Sequence, residues 1–480
     1  MASVGVSPRI LRFMPSPSAS PPPGLRLSAG VASAAPAPAQ ALAASGMAAR
    51  EPVPHLAAAL GQAESLCIKC GFCLPVCPTY RETGVEAASP RGRLDLMYAA
   101  AQGRVSLSAI EPHLALCLGC QACETACPSG IRYHDMLEAE RSDVAALRRE
   151  SGSSLGRRVG RLSLGLLLAP RLLRAAVWGL WAYQHSGAQA LLRATRLLDW
   201  LVPPLGRLER RMPPLRRPVR WRRTLSELTV PQRGRAALLA GCIMDAAFGE
   251  VHVATAVVFR ANGIALAEAP GQTCCGALHL HAGETERARQ LARRNIAAFE
   301  AAGDAPVVVN SAGCGAVLKE YGRLLAGDPQ WAERASRLAA RVRDVTEFLA
   351  GLSLEPPRMP VACAVAYDDP CHLSHAQKVR DQPRDLLSLI PGLRMVPLRE
   401  AEMCCGSAGS YSVQQPEMAL RLLERKLAHI EASGADVVAT GNPGCLLQLR
   451  LGMRMRGLPL RVVHPIELLA ESYGQPAFRE

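Results

Sequence analysis

The sequence predicts a multidomain chain of mixed class, α+β in its first third and α/β in its second half, joined by a helical connector. Three observations predict it. Two cysteine runs of matching spacing, CIKCGFCLPVCP at 67–78 and CLGCQACETACP at 117–128, lie among helical apolar patterns. A strongly basic stretch follows at 151–232. Beyond it, a block of about 130 residues carrying a Cys-Cys-Gly triplet occurs twice. These features divide the chain at 1–46, 47–150, 151–232, 233–355 and 356–480.

Residues 1–46 are rich in Ala, Pro and Ser, and 1–50 hold four arginines and no acid. That composition does not bury a core. The expectation is a disordered arm, or sequence upstream of a start at Met47. A charged start followed by an apolar run, the mark of a secretory signal, is not seen there.

The eight thiols of the two runs have three readings. Disulfide scaffolds are usually small and secreted, whereas this chain has 480 residues and is 49% hydrophobic, enough for real cores. Zinc sites pair two C-x₂-C knuckles, and a third cysteine at the next step is surplus. C-x₂-C-x₂-C-x₃-C-P is instead the bacterial ferredoxin run, in which the first three cysteines hold one cubane and the fourth ligates the other. Cys67, Cys70, Cys73 and Cys127 are therefore expected on one [4Fe–4S] cluster. Cys117, Cys120, Cys123 and Cys77 are expected on a second. Gly71, Gly119 and Ala122 suit a loop folded tightly over sulfur. Such clusters need a reducing compartment, which places the protein on the cytosolic side.

Between and after the runs, PRGRLDLMYAAAQG (90–103) and IRYHDMLEAERSDVAALRRE (131–150) read as helices, giving a helix-padded ferredoxin domain. Arg91 and Arg93 have two readings, an acidic partner or a solvated helix start.

The connector is arginine-rich. Residues 151–230 hold 15 Arg, no Lys and three acids (Asp199, Glu209, Glu227), nearly all of the chain's net +14. Its uncharged stretch, Ala175 to Leu192, contains Gln184, His185, Ser186, Gly187 and Gln189, which is poor for a membrane span. Basic, Trp-bearing amphipathic helices suit the surface of an anionic membrane. A plain linker docked on a partner subunit is the alternative. Nucleic acid is disfavoured, because no nucleic-acid motif accompanies the arginines.

In the duplicated half, Cys242, Cys274, Cys275 and Cys314 are matched by Cys371, Cys404, Cys405 and Cys445. RAALLAGC (235–242) and VACAVAYDDPC (361–371) read as buried strands ending at a cysteine. Residues 284–303 and 415–434 read as amphipathic helices stopped by Gly. APVVVNSAGC and ADVVATGNPGC read as further strands running into a cysteine. Four thiols converging at strand ends read as a third and a fourth metal or redox site, with an iron–sulfur cluster preferred over a simple ion and free relic thiols as the alternative. Cys363, outside the pattern, reads as a core thiol.

The order of parts resembles the iron–sulfur subunit of glycolate oxidase (glycolate dehydrogenase), over nearly all of 47–475. CGFCLPVCPTY, SPRGRLDLMY, CLGCQACETACPSGIRYHDML, CCGALHLHAGE, SAGCGAVLKEYG, PCHLSHAQK and CCGSAGSYS carry the resemblance. The Cys-Cys-Gly repeat is shared with subunits of heterodisulfide reductase, anaerobic glycerol-3-phosphate dehydrogenase and lactate-utilisation enzymes. Heterodisulfide reductase relatives add a fifth cysteine three positions after the last; Val317 and Gln448 stand there in this chain.

The resemblance implies a relay chain without catalytic residues of its own. An FAD-containing partner subunit would oxidise glycolate to glyoxylate, and electrons would leave towards a membrane quinone at the inner face of the cell membrane. No Gly-rich dinucleotide fingerprint or flavin site is visible in this chain, so flavin is expected on the partner only. Alternatives are the iron–sulfur subunit of a D-lactate or anaerobic glycerol-3-phosphate dehydrogenase, or a thiol–disulfide reductase acting at the Cys-Cys-Gly sites. A structural iron–sulfur protein on nucleic acid is a third class.

Overall fold

The computed structural model describes residues 53–61, 66–150, 165, 169–222, 233–267 and 269–478. The arm expected at 1–46, the start at Met47 and nearly all of 151–168 lie outside the described residues.

The two cysteine runs are framed by helices, and among the described residues of 53–150 there is no strand. The expected helix at 90–103 is Pro90–Ala101. It begins where Ser89 accepts a hydrogen bond from the Gly92 N–H, with Pro90 in the first turn where a missing N–H costs nothing. Leu94 and Met97 on its inner face meet Leu107, Ile110 and Leu114 of the helix Leu107–Ala115 and Met136 and Leu137 of the helix Tyr133–Glu150. A short helix, Pro54–Leu60, is tied to this core by Asp143, whose carboxylate accepts from the Leu56 N–H at 2.8 Å.

The second half contains two four-stranded sheets of the same topology. β1 (Gly234–Leu239), β2 (Ile264–Ala267), β3 (Val307–Val309) and β4 (Val342–Asp344) are all parallel, in the order β2-β1-β3-β4. β5 (Cys363–Tyr367), β6 (Leu393–Val396), β7 (Val437–Ala439) and β8 (Arg461–Val463) repeat it as β6-β5-β7-β8. The amphipathic helices expected at 284–303 and 415–434 are Thr285–Ala301 and Pro416–Ser433, the second ended by Gly434 in the left-handed conformation.

The copies do not keep wholly separate cores. Phe248 and Val251 of the first copy share one buried cluster with Ile466 and Leu469 of the second, because the helix Gly249–Ala261 packs on the helix Pro465–Ser472. The connector joins in. Its helix Pro170–His185 buries Leu173 against Ala246, and Arg216 further on is only 4% exposed. The Arg216 guanidinium donates to the Glu467 carboxylate at 2.5 Å and lies 4.0 Å from that of Glu250.

Burial, with the Glu467 charge adding to it, pushes the Glu250 carboxyl up to about 7. A carboxyl raised in the folded state leaves stability intact below its unfolded value and withdraws it as pH rises through the folded one. Glu250→Gln should therefore leave thermal stability near pH 4 almost unchanged. At pH 8 it should raise stability by about 1–2 kcal/mol. A gain of equal size at pH 4 and pH 8 would reject the linkage.

Candidate metal centres

Each cysteine run folds as a tight loop with the same backbone signature. Lys69 and Gly71 flank Cys70 with φ of 54° and 86°, and Gly119 and Gln121 flank Cys120 with φ of 64° and 61°. The left-handed region disfavours side chains by roughly 1–2 kcal/mol per residue. Lys69 and Gln121 are held there nonetheless, and such outliers gather where a site dictates the backbone. Alternating turns of this kind point successive N–H groups into one concavity, a setting for anionic sulfur.

The loops line two cavities. One is walled by Cys117, Cys120 and Cys123 of the second run together with Cys77 of the first. The other is walled by Cys67, Cys70 and Cys73 of the first run together with Cys127 of the second. The fourth cysteine of each run thus lies in the cavity of the other run, and Cys123 lines both. Four thiols around a mostly apolar hollow fit a cubane cluster by donor type and number. Burial pushes the Cys120 and Cys123 thiols well up. Only a bound cation would draw off their protons.

Arg93 differs from both readings of the sequence. It neither faces outward nor opens a solvated helix: it is 1% exposed and lines the first of these cavities. Its guanidinium donates to the His113 carbonyl at 2.9 Å and the Thr79 hydroxyl at 3.0 Å, and the Cys77 sulfur lies 3.3 Å from that hydroxyl. The physical reason is the thiol set itself, beside which a fixed positive charge is favourable. Arg91, closer to the surface, is occupied locally by Glu86 at 2.6 Å.

In the duplicated half the cysteines gather where the strand order reverses, the crevice α/β sheets use for ligands. Cys242 follows β1, and Cys314 follows β3 in the first turn of the helix Ala312–Lys319. Cys371 follows β5, and Cys445 follows β7 in the first turn of the helix Pro443–Arg456. The expected strands thus end short of Cys314 and Cys445, which sit at helix N-termini that favour anionic sulfur.

The Cys-Cys-Gly loops complete each set. Cys242 and Cys274 lie 3.7 Å apart at sulfur, and Cys275 and Cys314 lie 3.2 Å apart. In the second copy sulfur contacts run from Cys371 through Cys404 and Cys405 to Cys445. Four convergent thiols suit iron or zinc by donor type. Gly406, at φ 88°, permits the turn: a Cβ there would sit 2.5 Å from the Ala419 carbonyl oxygen. Val317 and Gln448, where a fifth thiol would stand, are buried at 5% and 6% exposure. Cys363 is only partly buried, at the start of β5.

The two copies have diverged around their thiols. Lys426, with its ammonium 2.8 Å from the Asp368 carboxylate, is buried beside the second site, where the first copy has Asn295, whose amide donates to the Cys274 carbonyl at 3.0 Å. His372 follows Cys371 directly, its Nδ1 3.5 Å from that sulfur, where the first copy has Ile243. The spacing of the cysteines carried no sign of Lys426 or Arg93, whose roles depend on partners far along the chain.

The sites touch one another through the packing of the parts. Cys120 shares a buried cluster with Cys371 and Cys404, and the Tyr411 hydroxyl donates to the Leu116 carbonyl at 2.9 Å. The copies meet at the loops before Cys314 and Cys445, where the Ala312 N–H donates to the Gly441 carbonyl at 3.1 Å.

Comparison with known proteins matches every part of this layout. A family described as "4Fe-4S dicluster domain" matches residues 64–131, and "Cysteine-rich domain" matches 236–319 and 365–450. "Glycolate oxidase iron-sulfur subunit, linker region" matches 156–212. The chain is 39% identical over 423 residues to a probable glycolate oxidase iron–sulfur subunit of Bacillus subtilis (strain 168), covering 85% of this chain and 94% of that one. It is 30% identical over 387 residues to the glycolate oxidase iron–sulfur subunit of Escherichia coli (strain K12), covering 80% and 89%. It is 33% identical over 237 residues to lactate utilization protein A of Geobacillus kaustophilus, covering 49% of this chain and 98% of that one.

Proposed function

We propose, from the premise that this chain belongs to the family of glycolate oxidase iron–sulfur subunits, that it carries electrons from a flavoprotein subunit oxidising glycolate to glyoxylate towards a membrane quinone. The observation that supports this best is the row of thiol sites. It runs from exposed Cys70 through Cys123, shared by both cavities, and Cys120 to the buried Cys371 set. When bound, clusters at such sites accept and release one electron at a time, which divides a flavin's two-electron load. Cys67, Cys70, Cys73 and Cys127 would hold one [4Fe–4S] cluster, and Cys117, Cys120, Cys123 and Cys77 a second. The two Cys-Cys-Gly sets would hold further iron–sulfur centres. The domain limits proposed are those of the sequence, 47–150, 151–232, 233–355 and 356–480.

The surrounding residues suit the two ends of a relay. Ile68 and Phe72, 70% and 61% exposed, flank Cys70 and offer an apolar rim for the flavoprotein. Arg93 holds a positive charge against the cavity walled by Cys77, Cys117, Cys120 and Cys123.

Among the described residues no helix is long and apolar enough to cross a membrane. On the connector Leu191 is 66% exposed, Trp200 80% and Leu201 58%, among arginines. This supports peripheral contact with the inner face of an anionic membrane. High-salt or alkaline washing should then release the protein, because screening weakens surface electrostatics. Retention that only detergent reverses would reject it.

The relay itself is tested by activity. The isolated chain should be inert towards glycolate, since hydride removal needs a two-electron acceptor beside a base. The flavoprotein should need this chain to reduce a quinone. Deleting its gene should abolish growth on glycolate while leaving growth on acetate unaffected. Loss of growth on D-lactate or glycerol 3-phosphate, with glycolate use intact, would keep the relay and reject the substrate.

A further inference from the structure

The parts meet at a group of side chains that the thiol sites do not use. His134 and Glu138 stand one turn apart on the helix Tyr133–Glu150, on the same face, as i and i+4 positions must. His281, at the end of the helix Ala277–His281 in the first Cys-Cys-Gly copy, reaches the same point. The His134 Nε2 lies 2.8 Å from the Glu138 Oε1, and the His281 Nδ1 lies 3.4 Å from it. One donor atom from each residue falls within 4.8 Å of the others.

The trio is enclosed. His134 and Glu138 are 7% and 9% exposed, and the His281 side chain is 21% exposed. Yet among the described residues the Glu138 Oε1 and the His281 Nδ1 make no geometrically sound hydrogen bond. Buried polar atoms are nearly always satisfied, so unsatisfied atoms aimed at one point indicate a missing partner. Two imidazoles and a carboxylate are the donor set of zinc and ferrous sites that keep a coordination position open.

We propose that His134, Glu138 and His281 bind one divalent transition-metal ion, separate from the thiolate centres, at the junction of the ferredoxin domain and the first Cys-Cys-Gly copy. A third imidazole stands beside the site. The His372 ring centre is 5.9 Å from that of His281, and the His372 Nε2 also lacks a hydrogen-bond partner among the described residues. His372 can fill the open position through Nε2 while its Nδ1 faces Cys371. The ion would then tie the ferredoxin domain to both copies.

The test uses the full chain, matured with its clusters under anaerobic conditions. Elemental analysis should find one zinc per chain, or one iron that a chelator removes without bleaching the cluster absorbance. Equilibrium dialysis against zinc chloride, and separately against ferrous iron, identifies the ion. His281→Ala and the near-isosteric Glu138→Gln should each lose that ion and keep the cluster iron. Their affinity for the ion should fall by more than about tenfold, since even outer partners of metal ligands are worth that much. If His281→Ala fails to fold, Glu138→Gln decides. A wild-type chain with full cluster iron that holds and takes up no further ion would overturn the proposal. So would variants that bind zinc as tightly as the wild type, which would leave the trio a hydrogen-bonded group and nothing more.

Discussion

Cys77→Ser is expected to remove the cluster of the other run and spare the cluster of its own. Cys77 belongs by sequence to the run of Cys67, Cys70 and Cys73, but its side chain lines the cavity of Cys117, Cys120 and Cys123. Iron should fall by about four per chain, the content of one cubane. The paramagnetic signal that Cys123→Ser also removes should vanish, and the signal sensitive to Cys70→Ser should persist. Transfer from the flavoprotein to quinone should stop, because the break falls between the exposed end of the row and Cys371. Loss of the signal sensitive to Cys70→Ser, with the other retained, would overturn the cross-pairing.

The second large effect is expected from Gly283→Ala. Gly283 adopts φ 75° in the loop after His281, and a Cβ there would lie 2.1 Å from the Arg141 carbonyl oxygen and 2.9 Å from the Ala145 Cβ. Neither the carbonyl nor the helix that carries it can yield locally. Beside it Ser142 and Thr285 share a hydroxyl hydrogen bond of 2.7 Å, and Arg149 pairs with Glu284 at 2.8 Å. A methyl group inserted into this clasp should cost about 3 kcal/mol or more in docking, from backbone strain and overlap together. The ferredoxin domain has its own core around Leu94, Met97 and Leu137, so its iron should be retained. Quinone reduction should nevertheless fall steeply. Native-state proteolysis should detach the ferredoxin domain from the variant more readily than from the wild type. Unchanged turnover in the variant would show that electron transfer does not depend on the clasp.

What the sequence made legible was written in short-range spacing. The ferredoxin runs encode their loops within twelve residues, so candidate thiol sets could be proposed from spacing alone. The duplication was legible because both copies keep cysteines, glycines and apolar runs in register. The features that escaped have partners remote in the chain. Arg93 looked like a surface charge at a helix start, and its burial depends on His113 and on thiols of the second run. Arg216 looked like one of many linker arginines, and its burial depends on Glu467, 251 residues away. The clustering of His134, Glu138 and His281 depends on how two parts dock, which local periodicity does not encode.

The exchange of fourth cysteines between the runs has a consequence for biosynthesis. Cys77 and Cys117 are separated by 39 residues, and the cavity of the first run is not complete until Cys127 exists. A growing chain halted near residue 110 offers three thiols of one set and a single thiol of the other. Neither set can then enclose a cube. If the two sets hold clusters as proposed, delivery would wait until the second run has left the ribosome, and the two insertions would become one event in time. Closing a loop of this length costs only a few kcal/mol of chain entropy, a demand the cluster itself can meet. Truncated chains would then emerge without iron, rather than as half-loaded, oxygen-sensitive fragments.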